Sequence, residues 1–419
     1  LPAFAGASTC RVENDRTGKV DTAIQTAIGR ARPGDTLLIA GGCAGHVNVA
    51  KALTLRGVRT SGTPTIDGTG LSSVLSIPSG VSATLQGVTI TGASGNGMPI
   101  FVGGIATFRS VTIQGNVGSP GGMQVSGKAT ITGRSRIVDN VSTNQGGGIF
   151  VAPTGTATVT GRTLIARNEA VAGGGITVQG GKLVLKGSAR ITGNSVTNNG
   201  GGINSYIGTV RIGGSAQIDG NTGATGGGGI SSFAGPLTIL DSARIHDNDA
   251  PGGSGGGVQT TGGTLTIGGS VRIDHNDAWN AGGGIDAAET LAGSTISGAA
   301  RIDHNTATDH GGGIALAVAA QLTISGTVSI DANVSQTGGG IAIMSGTVVL
   351  TKGPKGVHPQ IAGNMATNTS LGWRGGGIRL DSETDSHLTT SGSCPPYVSG
   401  NTPDQVFQLW TGTDVCVPV

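Results

Sequence analysis

One tetrapeptide, Gly-Gly-Gly followed by an aliphatic residue, returns through this chain at a nearly constant interval. It ends at Ile149, Ile176, Ile203, Ile230, Val258, Ile285, Ile314, Ile341 and Ile378, with spacings of 27, 27, 27, 28, 27, 29, 27 and 37 residues. A second marker, aliphatic-x-x-Asn, ends at Asn116, Asn140, Asn168, Asn194, Asn221, Asn248, Asn276, Asn305, Asn333, Asn364 and Asn401. A third aliphatic run lies nine residues before each of eight of these asparagines, at Ile131, Val159, Leu185, Ile212, Ile239, Ile267, Ile296 and Ile324. A fixed period of this length is the mark of a repeat architecture, in which one unit cannot bury its own apolar face and a stack can.

Each repeat holds three short β-prone runs, for example Gly284-Ile285-Asp286, Ser294-Thr295-Ile296-Ser297 and Arg301-Ile302-Asp303. Each has an apolar centre between small or polar neighbours, the alternation of a half-buried strand. No repeat carries a helical period. The pattern predicts an all-β, right-handed parallel β-helix, a three-sided solenoid of about 27 residues per coil. Roughly 13 coils, each rising about 4.8 Å, would make a rod on the order of 60 Å long. Asparagine is expected to take the left-handed conformation at a tight corner and to hydrogen-bond its stacked copies. Glycine supplies positive φ and close approach between coils.

Composition agrees. Glycine is 81 of 419 residues without a Gly-X-Y period, so collagen is excluded. Charged residues are 11%, too few for a disordered polyelectrolyte. The net charge is +2 with both signs interspersed, which offers nucleic acid no basic surface. No apolar run approaches the roughly 18 residues of a membrane span. Ala3-Phe4-Ala5 has the small-x-small form of a processed export signal, so a secreted or cell-surface location is expected.

The ends depart from the repeat. Val20, Ala23, Ile24, Ala27 and Ile28 recur at helical spacing, predicting an amphipathic helix that caps the first coil, with Leu37-Leu38-Ile39 as the first strand. The chain therefore divides into an N-terminal cap (1–36), a parallel β-helix (37–390) and a C-terminal cap (391–419). Inserts are expected at 352–360 and 365–374, and Val406, Phe407, Leu409 and Trp410 as an apolar cover. Four cysteines fall as Cys10 with Cys43 and Cys394 with Cys416. Two local disulfides stapling the caps are the most economical of three connectivities; buried free thiols are the alternative.

Paired Gly-Gly-x-Ile and aliphatic-x-x-Asn markers resemble the repeats of polymorphic outer-membrane proteins, over roughly residues 100–400. Gly34-Asp35-Thr36-Leu37 and Lys51-Ala52-Leu53-Thr54-Leu55 are similar to the N-terminal cap of pectin-lyase-like β-helix proteins. The resemblance implies an exported, surface-associated passenger used in adhesion. The departures are Ile where that family has Phe, Gly where it has Ala, and no recognisable C-terminal β-barrel. The marks of β-helix polygalacturonases (adjacent Asp-Asp, Gly-His-Gly) and of pectate lyases (Arg-x-x-Pro-x-x-Arg) are also missing from the sequence.

Three surface patterns carry possible chemistry. Residues just after one strand centre should stack coil on coil as Asp219, His246, Asp274, Asp303 and Asp331. Just before it stand Arg190, Gln217, Arg244, Arg272, Arg301 and Ser329, with Asp247, His275 and His304 beside them. A polysaccharide lyase or glycoside hydrolase would draw its site from Asp274, Asp303, His275, His304, Arg272 and Arg301. A calcium ion held by Asp274, Asp303 and Asp331 is a variant. An Arg–Asp ladder of structural ion pairs is the reading favoured here, because a catalytic site appears once and this pattern recurs. The second pattern is a threonine column, Thr130, Thr158, Thr238, Thr266, Thr295 and Thr323, with Thr132, Thr160, Ser297 and Ser325 two residues on. It could order water and bind ice, but is interrupted by Val184, Lys186, Arg211 and Leu240. The third is a set of binding residues in loops: Trp373 and Arg374, Lys352 and Lys355 with His358 in the preceding insert, and Trp279. They suit an extended glycan, a cell surface or another copy of the chain. The function expected is thus a secreted or surface β-helical scaffold, adhesin-like, without cofactor and without catalysis.

Overall fold

The computed structural model describes residues 9–59, 62–289, 293–353, 356–368, 375–381, 386–390, 398–402, 406–408 and 413–414. The chain forms two compact units, Leu1–Asn194 and Ser195–Val419. Both are parallel β-solenoids, together making about 12 turns of about 27 residues. Among the described residues the one helix is Ile24–Arg30.

In the first unit, three ladders of short parallel strands follow one another around each turn. The threonine face stacks Leu53–Gly57, Ser82–Gln86, Ile105–Arg109, Lys128–Thr132, Thr156–Val159 and Lys182–Leu185 in register. Next comes the arginine face, with Thr112–Gln114, Arg136–Val138 and Leu164–Ala166. The glycine face stacks Ile100–Val102, Met123–Val125, Ile149–Val151 and Ile176–Gln179. The second unit repeats the order, with Ile203–Tyr206 to Ile378–Leu380 on its glycine face and Gln217–Asp219 to Gln360–Ala362 on its arginine face. The aliphatic centres point inward; Ile218, Ile245, Ile273, Ile302, Ile330 and Ile361 form one column without solvent exposure. Burying such a side chain contributes about 1.5–3 kcal/mol, and the column gains it once per coil.

A fourth, shorter ladder was not expected. Two-residue strands follow the asparagine, as in Val141–Ser142 of the first unit and Asp277–Ala278 of the second, each paired to its copy in the next coil. They turn the chain between the arginine and glycine faces.

The asparagines do something other than turn the corner. The left-handed residue is the one before each asparagine: Asp139 and Arg167 in the first unit, Asp247, His275, His304 and Ala332 in the second, with φ of 52–57°. Gly115, Gly193, Gly220, Gly363 and Gly400 fill the same position in other coils. The asparagine itself is buried. In the first unit the Asn116 amide donates to Oδ1 of Asn140 at 3.0 Å, Asn140 to Asn168 at 2.9 Å and Asn168 to Asn194 at 2.9 Å. In the second the chain of bonds runs from Asn221 to Asn401.

Each glycine of the triad has its own task. The first takes positive φ (Gly200 72°, Gly282 64°) and lies against the residue after the isoleucine. The second and third have no room for a side chain: a Cβ on Gly201 or Gly202 would stand 2.6 Å from a carbonyl oxygen of the next coil. The triad therefore lays bare backbone across the outer surface of the glycine face, and residues such as Asp286 and Arg379 are buried beneath it.

At the N-terminus the helix buries Ile24, Ala27 and Ile28 as expected, and Lys51 Nζ donates to the carbonyls of Ile28, Gly29 and Ala31 at its C-terminal end. Val20 does not belong to it; it is exposed, in a short strand Val20–Asp21. The first strand is likewise not Leu37–Ile39 but Arg11–Asn14, which pairs antiparallel with Val20–Asp21 and with Thr36–Ala40 and so closes the edge of the threonine face. Cys10 is disulfide-bonded to Cys43; Cys394 and Cys416 lie outside the described residues, as does Ala3-Phe4-Ala5. Of the C-terminal cover, Val406 is buried, while Leu409 and Trp410 are likewise outside the described residues. The insert expected over 352–360 ends sooner, because Gln360 begins a strand of the arginine face. Met365 and Ala366, expected within the next insert, extend the short ladder.

Candidate functional site

The charged stripe is assembled on the arginine face of the second unit. Arg244, Arg272, Arg301 and Ser329 pair in register, and so do His246, Asp274, Asp303 and Asp331. The expectation that the aspartates face solvent fails. Asp274 and Asp303 are fully buried and Asp219 is nearly so. They point away from the lumen, but over Asp274 lie the guanidinium of Arg244 from the preceding coil and, from its own coil, the guanidinium of Arg272 and the imidazole of His275.

The arginines are staggered by one coil. Arg244 grips Asp274 with two hydrogen bonds, its Nε donating to Oδ1 at 2.9 Å. Arg272 donates to Asp303 at 2.9 Å, and Arg301 stands 3.5 Å from Asp303 and 3.7 Å from Asp331. His275 Nδ1 is 3.0 Å from Asp274, and the imidazoles of His275 and His304 stack with centroids 5.1 Å apart. Burial alone would raise the Asp274 carboxyl; the hydrogen bonds from Arg244 and His275 and the charges of Arg244 and Arg272 outweigh it and hold the group below its ordinary value. A carboxyl in that state is a poor proton donor near neutrality, where a general acid needs a raised pKa.

For a metal ion, the geometry replaces the expected trio. Ligand atoms of Asp303, His304 and Asp331 lie within 4.8 Å of one another, whereas Asp274 is not part of the group. One imidazole and two carboxylates match a transition ion better than calcium, which takes six to eight oxygens. The Arg301 guanidinium competes for the same carboxylates.

Among the expected binding residues, Trp279 is 61% exposed and Lys352 is exposed. Trp373, Arg374 and Lys355 lie outside the described residues. His358 has its Nδ1 buried rather than displayed. The threonine column is longer than its sequence marker implied. In the first unit Thr36, Thr54, Thr84, Thr107, Thr130 and Thr158 stand in register. In the second unit Thr238, Thr266, Thr295 and Thr323 do so. Two residues along from Thr54 and Thr107 stand Arg56 and Arg109, long charged chains where an ordered water layer would need a second flat row.

One surface feature escaped the sequence reading. Tyr206 and Phe233, in register on adjacent coils of the second unit, stack with ring centroids 5.2 Å apart and planes within 4°. They are 48% and 45% exposed, and Ile207 beside them is 55% exposed. The signal was present: both stand three residues after the isoleucine of the glycine triad, at Ile203 and Ile230.

Compared with known protein families, curated proteins and solved structures, the chain matches none. Among the described residues no helix is long and apolar enough to cross a membrane.

Proposed function

We propose that this protein is a secreted or surface-associated β-solenoid that binds an extended glycan without cleaving it. The observation that carries the proposal is the exposed Tyr206–Phe233 stack. Aromatics are 11 of the chain's 419 residues, and this pair turns its rings to water instead of to the core. A flat apolar platform of two rings suits the C–H face of a sugar, while in-register faces offer repeated contacts along a chain. The likeness to polymorphic outer-membrane protein repeats in a pectin-lyase-like β-helix supports an exported, adhesive role. The ion-paired state of Asp274 weighs against the lyase or hydrolase alternative.

Immobilised neutral and acidic polysaccharides, scored for both binding and release of reducing ends, test this directly. Binding without turnover is expected, reduced about tenfold by Tyr206→Ala with Phe233→Ala, the loss of roughly 1.4 kcal/mol of contact. The melting temperature should hold, since both rings are half exposed. Turnover of any member, or binding indifferent to the double substitution, overturns the proposal.

A further inference from the structure

The glycine face of the first unit is covered unevenly, and the cause is a difference in loop length. From Asn140 to Ile149 the chain takes nine residues, and from Asn116 to Met123 it takes seven. The first glycine of the triad normally lies across the residue after the strand's first aliphatic; a Cβ on Gly146 would stand 2.9 Å from Cβ of Phe150. In the shorter loop Pro120 occupies that glycine's place and is followed by two glycines only, Gly121 and Gly122. A cleft of about 340 Å³ opens there, walled by Ser119, Pro120, Gln124, Asn144, Gln145, Phe150 and Gln179.

Its walls are chemically one-sided. Four of the seven lining residues are carboxamides and Ser119 adds a hydroxyl beside Pro120 and Phe150; among the described residues no ionisable side chain lines the cleft. A carboxamide both donates and accepts, as a sugar hydroxyl does. Phe150 presents an aromatic ring, and stands in register with Gln124 on one side and Thr177 on the other. The walls are held in place: Gln124 Nε2 donates to Ser126 Oγ at 3.2 Å, and Ser142 Oγ donates to the Gln145 carbonyl at 2.9 Å while accepting from the Asn144 backbone N–H. The volume falls at the lower end of ligand pockets, about 300–1,000 Å³. An acidic sugar would bring a charge into a cleft without a cation to meet it, a cost a neutral sugar avoids.

We propose that this cleft is a subsite for an uncharged sugar unit, recognised by Gln124, Asn144, Gln145 and Gln179 against the ring of Phe150. The assignment rests on the glycan-binding function proposed above and names a ligand class and a site of its own. Calorimetry on the intact chain with gluco-, manno- and galacto-pentaoses and with a galacturonate trimer tests it. A neutral oligosaccharide should bind, the galacturonate at least tenfold more weakly. Gln124→Ala and, separately, Gln179→Ala should each weaken binding at least fivefold, with melting temperature and the Tyr206–Phe233-dependent polysaccharide binding unchanged. Asn144→Trp, which fills the cleft from its exposed rim, should abolish oligosaccharide binding. If polysaccharide binding through Tyr206 and Phe233 persists but no neutral oligosaccharide binds, or binding survives Asn144→Trp, the cleft assignment falls alone. If neither kind of ligand binds, both proposals fall.

Discussion

Asn276 illustrates what the corner asparagines do. Its Oδ1 accepts from both the backbone N–H and the amide of Asn248, at 3.1 and 3.0 Å. Its own amide donates to the carbonyls of Ile245 and Asp274 and to Asn305. Truncation would strand a buried N–H and a buried carbonyl in adjacent coils, each costing about 1–3 kcal/mol when unpaired. Asn276→Ala is therefore expected to lower unfolding free energy by about 3 kcal/mol in urea titrations. Its neighbour should behave oppositely. His275 holds φ of 55°, a conformation that costs a non-glycine residue about 1–2 kcal/mol. His275→Gly should raise stability by about 1 kcal/mol in the same titrations, even with the imidazole stack and the hydrogen bond to Asp274 lost; a large destabilisation would show that these two contacts outweigh the strain.

At the scale of the element, two outward columns of the second unit carry carboxylates in opposite states. On the arginine face, Asp274 has its pKa lowered by the arginine ladder. Its contribution is present above the unfolded value of about 4 and is lost as pH falls through the lower, folded value. On the glycine face, Asp286 is sealed beneath the Gly282 backbone. Burial pushes its pKa up to about 7, opposed by a hydrogen bond from Gln259. Here the folded state binds the proton more tightly, so stability falls as pH rises from about 4 to about 7, by up to about 4 kcal/mol. Thermal melts from pH 2 to 9 should show a maximum near pH 4–5. Asp286→Asn should flatten the descent toward pH 8, and Asp274→Asn should remove part of the acid limb while lowering stability at neutral pH. A profile unchanged by Asp286→Asn would mean the carboxyl reaches water.

For the whole molecule, the organising fact is that each turn within a unit bonds to the turns above and below. Stability is then close to a sum of coil and interface contributions, and losing one coil costs one interface. Deleting residues 259–285, one full period of 27, would join Val258 to Asp286, which already occupy successive positions of the same strand register. Such a variant should keep its ellipticity per residue and lose only a few degrees of melting temperature. Deleting 13 residues at the same place would put aliphatic centres of one face opposite corners of the next, and should leave little folded protein by circular dichroism.

The repeat interval, the three aliphatic columns and the asparagine marker were all legible in the amino-acid order, because a solenoid writes its stacking as a period. The N-terminal helix was legible too, being local in sequence, and so was the Cys10–Cys43 pairing, because the other two cysteines stand more than 350 residues further on. Loop lengths held further information, since seven residues instead of nine before Met123 already announced an uncovered patch. What the order did not carry was decided by neighbours in space. Alternation tells which way a side chain leaves the strand, not whether another coil then covers it. Asp274 leaves the lumen and is still buried, because Arg244 and Arg272, 30 and two residues away in sequence, reach over it. Asparagine's general tolerance of positive φ pointed to the wrong residue of the corner: the buried amide is worth more as a rung between coils, so the strained backbone passes to the residue before it. Periodicity belongs to the chain, but burial, ion pairing and the cleft arise only when coils lie against one another.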